Sequence, residues 1–113
     1  MKKGEVWIIN LDPTVGAEMK KSHPCILVGN DAISKLPLKI VVPVTDWNDA
    51  FQNAPWHIPI EKDKENGLTK KSSADTFQVR SVSEGRLVKR IGSISDEVLA
   101  RINEALKISL GLA

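Results

Sequence analysis

Five side chains that can move protons or hold an anion fall between residues 18 and 23: Glu18, Lys20, Lys21, Ser22 and His23. A carboxylate and an imidazole can each accept or release a proton in the range where enzymes work. Two ammonium groups and a hydroxyl add charge and donors for an anionic substrate. No other stretch of the 113 residues puts acid, base and positive charge so close together. Pro24 follows at once with its fixed φ, and Cys25-Ile26-Leu27-Val28 follows that. A loop of reactive groups therefore runs directly into a stiff apolar segment, with His23 at the junction. Thr45, at the end of a later apolar run, is the remaining hydroxyl that a strand could bring to the same place.

The elements that must position these groups read as short strands. Residues 5–9, rich in β-branched and aromatic types, form a first strand, with Trp7 and Ile9 on one face and Val6 and Ile8 on the other. Asp12-Pro13 breaks it, Gly16 offers a left-handed position, and residues 14–22 show no steady period, so they are expected as a loop. Pro24 allows an edge start to a strand over 25–29, closed by the Asn30-Asp31 turn. Residues 31–37 are a connector with room for one helical turn. Residues 39–45 are the most apolar strand and the expected centre, with Pro43 implying a bulge or an unpaired position.

A second long loop over 46–55 carries Trp47 and Phe51. Residues 56–60 alternate, with Trp56, Ile58 and Ile60 expected to face inward and His57 to be exposed. A charged connector over 61–71 contains Asn66-Gly67. Strands over 76–82, with Phe77, Val79 and Ser81 on one face, and over 86–91 complete the β part. Ser95 then caps a helix in which Val98, Leu99, Ile102, Ala105, Leu106 and Leu110 form one apolar face, ending at Gly111. The predicted class is mainly β, or α+β: a small, partly open barrel with a C-terminal amphipathic helix, in one domain over 1–113.

Composition excludes several function classes. A hydrophobic fraction of 42% and a charged fraction of 27% suit a globular chain, and no apolar run approaches the ~18 residues of a membrane span. Residues 1–3 resemble the start of a secretory signal, but Gly4, Glu5, Asn10 and Asp12 interrupt the apolar part, so none is expected. A single cysteine forbids an internal disulfide and a multi-cysteine zinc site, and a cytoplasmic location fits. Cys25, inside an apolar run, reads as a buried hydrophobe before it reads as a nucleophile. His23 and His57 are the only histidines, on separate elements without acidic ligand spacing, so no metal site is expected. No glycine-rich phosphate loop appears, and no cofactor is expected. A net charge of +2 permits a nucleic-acid partner without arguing for one.

Taken in order, Gly4-x-Val6-Trp7, Leu11-Asp12-Pro13-Thr14-x-Gly16-x-Glu18, Pro24-Cys25-x-Leu27-Val28-x-Asn30-Asp31 and Val42-Pro43-Val44-Thr45 resemble the MazF/PemK toxins of bacterial type II toxin–antitoxin pairs. Gln78-Val79-Arg80-Ser81-Val82, Gly92 and the closing helix continue the match over essentially the whole chain. The resemblance implies an SH3-like barrel shared with the CcdB toxins, a homodimer, and metal-independent, sequence-specific cleavage of single-stranded RNA. It also implies inhibition by a cognate MazE-like antitoxin lying in the RNA groove. In that family the residue before the matched proline is normally arginine, catalytic together with the threonine that matches Thr45. Here that residue is His23. The family also often places aspartate directly before the glutamine matching Gln78, where this chain has Phe77, with Asp75 two positions earlier.

Such cleavage uses the neighbouring 2′-hydroxyl as nucleophile and leaves a 2′,3′-cyclic phosphate and a 5′-hydroxyl. It needs a base, an acid and donors to the phosphoryl oxygens. An imidazole, ordinarily titrating at about 6.5, exchanges protons near neutrality, whereas a guanidinium holds its proton too tightly. The replacement thus favours acid–base work over bidentate clamping of phosphate. The expected catalytic set is His23, Thr45 and Glu18, with Glu18 partnering His23 or acting as the second proton carrier. Lys20, Lys21, Ser22, Gln78 and Arg80 are candidate RNA contacts, and Trp47 can either stack a base or plug the barrel end. The alternative is a non-catalytic, CcdB-like or degenerate member that only binds antitoxin or RNA.

Overall fold

Strands β1 (Glu5–Asn10), β2 (Ser22–Leu27), β3 (Leu38–Asp46), β4 (His57–Ile60), β5 (Ser72–Asp75), β6 (Arg80–Ser83) and β7 (Leu87–Ser93) precede helix α1 (Asp96–Leu110). The computed structural model describes residues 1–33 and 35–112. The antiparallel sheet runs β4-β5-β3-β2-β1-β7, with β6 also paired to β3. Its two ends do not meet, so the barrel is partly open, as expected.

The longest apolar run, β3, is the hub. One edge pairs with β2 (Cys25↔Pro43, Ile26↔Val42, Leu27↔Val41). The other pairs first with β6, over residues 38–41, and then with β5, over residues 44–46. Pro43 lies in the gap between those partners, where a residue without an N–H costs no ladder bond. The unpaired position foreseen for it is therefore real on that edge.

Apolar side chains pack on both faces. Val6, Ile26, Val42, Val44, Ile60, Ala74 and Ile102 belong to one core, against which Val98, Leu99 and Leu106 of α1 pack. Ile9, Leu11, Cys25, Leu27, Val41 and Val82 form the other, covered by Trp7, Met19 and Leu87. β1 thus serves both, Val6 on one side and Trp7 with Ile9 on the other. Full burial of a side chain such as Ile102 contributes about 1.5–3 kcal/mol before entropy, which holds α1 in place. The Ser95 hydroxyl accepts the Val98 N–H at 3.2 Å, and Gly111 closes the helix at φ 68°. Leu110, foreseen on the buried face, is 58% exposed beyond the last core turn.

Other expectations need correction. β2 begins at Ser22, not at residue 25, so His23 and Pro24 stand inside the strand opposite Ile9 and Ile8. β5, Ser-Ser-Ala-Asp, was hidden in what reads as connector and turn: all four residues are buried, yet they show no apolar period. Residues 76–82 are not one strand. The Asp75 carboxylate accepts the Phe77 N–H at 3.2 Å and caps a 3-10 turn over Thr76–Gln78, so the local side-chain bond wins over the ladder. Phe77 is consequently 69% exposed, and Trp56 is also on the surface rather than inside. The helical turn of the 31–37 connector is a 3-10 turn over Asp31–Ile33, and Ser34 lies outside the described residues.

Candidate active site

His23 and Thr45 meet because a ladder ends. The β2–β3 pairing stops at Cys25↔Pro43, and two further residues of that register set His23 opposite Thr45. At that point β3 swings to β5, with Val44↔Ala74 and Thr45↔Ser73, and the two strands part. The imidazole fills the opening: its Nδ1 lies 3.1 Å from the Val44 carbonyl oxygen. A carbonyl only accepts, so Nδ1 carries the hydrogen and donates it. In the neutral ring the lone pair is then on Nε2, the nitrogen left to act as a base. A cavity of about 440 Å³ opens here, lined by both His23 and Thr45 with Asp46, Lys70 and Ser72, and backed by Leu68. Lys70 and Asp46 form an exposed 2.9 Å ion pair among these residues.

The basic loop beside the cavity is tied at several points. Leu11 N–H donates to the Lys21 carbonyl at 2.9 Å, closing the loop at its base. Lys21 adopts φ 67°, an uncommon backbone state for a lysine, immediately before β2. Arg80, half-buried, donates to the Leu11 carbonyl at 3.2 Å, and Arg86 donates to the carbonyls of Asn10 and Asp12. Gln78 Oε1 accepts the Met19 N–H at 2.6 Å while its Nε2 donates to Asp75 Oδ2 at 3.2 Å. Gln78 and Arg80 therefore hold the loop in this conformation rather than standing open to a ligand. Lys20, Lys21 and Ser22 are exposed along its rim. Glu18 is exposed too, and its carboxylate turns back to accept the Val15 N–H at 2.5 Å. The structure does not bring it to His23.

Across β3 from His23, Thr45 shares its sheet face with residues that sequence reasoning missed. Ser73 is its cross-strand partner on β5, and His57 on β4 stands opposite Asp75. His57 Nδ1 and the buried Ser73 hydroxyl are 2.8 Å apart. The His57 ring stacks on Phe51 with centroids 3.7 Å apart and planes 3° from parallel. It is half-buried, not simply exposed. Burial pushes its pKa down, and the nearby Asp75 carboxylate only partly opposes that. The doublet Ser72-Ser73 beside an aspartate was the one available signal, and it is indistinguishable from a polar turn in sequence. Trp47 lies edge-on to Phe51 at 5.8 Å, with Nε1 donating to Asp49 at 3.1 Å and the Lys71 ammonium 4.9 Å from its ring centre. It borders the surface and does not plug the barrel.

Cys25 is fully buried, and burial pushes its thiol up to about 12, with Arg80 opposing weakly. It has no nucleophilic character at neutral pH. Among the described residues no group of three or more His, Cys, Asp or Glu could hold a metal ion. No helix among them is long and apolar enough to cross a membrane.

Fold and cleft together define a small, open antiparallel barrel whose ladder end presents an imidazole and a threonine beside a basic loop. Residues 2–110 match the model of the PemK-like, MazF-like toxins of type II toxin–antitoxin systems, and the chain belongs to that family. It is similar to endoribonuclease MazF9 of Mycobacterium tuberculosis, 32% identical over 99% of this chain and 98% of the relative. It is also similar to endoribonuclease MazF of Staphylococcus saprophyticus, 30% identical over 99% of this chain and 92% of the relative. Among solved structures, MazF from Deinococcus radiodurans superposes with a TM-score of 0.82 at 19% identity, covering 99% of this chain and 97% of that one. A mycobacterial endoribonuclease in complex with its cognate antitoxin superposes with a TM-score of 0.78 at 18% identity, covering 100% and 97%.

Proposed function

We propose that this chain is an endoribonuclease toxin that cuts single-stranded RNA at preferred sequences, without a metal, by attack of the 2′-hydroxyl on the adjacent phosphate. The observation that carries this reading is the shared cavity of His23 and Thr45, with the His23 tautomer fixed by Val44. Nε2 takes the proton from the 2′-hydroxyl, the hydroxyl oxygen attacks phosphorus, and the bond to the 5′-oxygen breaks. The Thr45 hydroxyl donates to a phosphoryl oxygen as charge builds there, which is where a preorganised donor matters most. The imidazolium formed in the first half of the reaction can return its proton to the departing 5′-oxygen. Lys20 and Lys21 on the loop rim, with Lys70 beside the cavity, supply positive charge for the backbone.

Glu18 takes part only if the loop rearranges to free it from Val15. Gln78 and Arg80 serve the RNA by positioning the loop before they touch any ligand. The cognate partner is a MazE-like antitoxin occupying the same groove, the active species is a homodimer, and the location is cytoplasmic. Family membership and the complexes of related proteins support these three statements. Wild-type protein incubated with mixed-sequence single-stranded RNA in the presence of EDTA is expected to give site-specific fragments ending in 5′-hydroxyl. No cutting, under conditions in which an arginine-bearing relative cuts, would leave the non-catalytic alternative in its place.

A further inference from the structure

A second cavity, of about 400 Å³, lies further along the face that presents Thr45, lined by Trp47, Phe51, His57, Lys71 and Arg101 among others. Trp47 N–H donates to the Lys71 carbonyl at 3.1 Å, extending the β3–β5 ladder one step past Asp46↔Ser72. Trp47 and Lys71 therefore fall on the same face as Thr45 and Ser73. Two residues of strand separate Trp47 from Thr45, about 6.8 Å at the usual rise, roughly the reach of one extended nucleotide. We infer that this cavity is a one-nucleotide subsite of the RNA track, taking the base and phosphate next to the cleaved linkage.

The inference rests on the RNA-cleaving function proposed above and names where the substrate goes beyond the cleft. Each part has a matching chemistry. The Trp47 ring is held in orientation by its bond to Asp49 and by the Phe51 edge, which suits it to stack a base without further ordering. Lys71 rests over the ring at 4.9 Å on a flexible, exposed stem. It can leave the ring face to a base and follow the phosphate. Arg101 reaches the same cavity from α1 and adds a second cation. His57, packed flat on Phe51 and tied through Nδ1 to Ser73, keeps Nε2 for the edge of a base. Its lowered pKa favours the neutral ring at pH 7, one donor and one acceptor, which fits a base edge better than a phosphate.

The test is binding of a short mixed-sequence RNA made uncleavable by 2′-O-methyl groups, measured by fluorescence anisotropy on the intact chain. Trp47→Ala is expected to weaken binding by roughly five- to a hundred-fold, and Trp47→Phe to restore most of it. Replacing both exposed cations, in Lys71→Ala/Arg101→Ala, lowers the salt slope of log K by about 1.4. His57→Ala relaxes the nucleotide preference at one position beside the cut, in a sequenced map of cleavage ends. Unchanged affinity, salt slope and cut map in variants that keep the wild-type circular dichroism overturn the subsite. Wild type that binds this RNA through Trp47 but never cuts cleavable RNA overturns the nuclease reading and leaves the subsite standing.

Discussion

At the scale of single residues, the proposed cleavage turns on His23, an exchangeable proton carrier where the family resemblance implies a permanent cation. In the proposed mechanism the bond from Nδ1 to the Val44 carbonyl leaves Nε2 as the base, so the neutral ring is the form that acts. A proton-transfer role predicts a single-turnover cleavage rate that depends on pH, and a pH-independent rate contradicts it. Cys25 yields a second prediction. Its thiol is held up to about 12 in the fold, so the folded chain keeps a proton that the unfolded chain releases above the ordinary thiol range. Stability linked to Cys25 is complete below about pH 8.5 and is lost progressively as the pH rises toward the folded value. Urea midpoints should fall more steeply between pH 8 and about 10.5 in wild type than in Cys25→Ala, and thiol reagents should label Cys25 only on unfolding.

At the scale of elements, the cleft depends on connections that look incidental in sequence. A Cβ on Gly92 would run into the backbone of Glu65 and Asn66, and one on Gly67 into the Ile91 carbonyl, so the 61–71 connector and β7 are locked together through two glycines. Gly92→Ala is expected to cost at least about 1–3 kcal/mol in urea unfolding, because the obstacle is backbone and cannot turn aside. An unchanged midpoint contradicts that packing. Gln78 ties the basic loop to β5 through Met19 and Asp75, so Gln78→Ala should speed hydrogen exchange at the Met19 amide while leaving β1 amides protected. The sequence showed the apolar strands and the capped helix clearly, since period and caps are local signals. It hid β5, whose buried Ser72-Ser73-Ala74-Asp75 has no apolar stripe, and it made a strand of residues 76–78, where Asp75 bends the backbone instead.

For the whole molecule, family, fold class and the meeting of His23 with Thr45 were legible because ordered motifs span the chain and a register carries one strand end to another. The roles of Glu18, Arg80 and Gln78 were not, since side-chain direction in a loop is set by tertiary bonds that no local pattern records. The same holds for the face shared by Thr45, Ser73, His57 and Trp47, which needs β3 to pair with β5 past the intervening β4. The proposed use of the ladder end of an open barrel as a metal-free RNA-cleaving cleft stands or falls with His23. The direct measurement is single-turnover cleavage of one mapped RNA site, with EDTA, by wild type and by His23→Ala. A loss of about 10²- to 10⁴-fold with unchanged folding and RNA affinity is the expected result. Full cleavage by His23→Ala contradicts a proton-transfer role for His23.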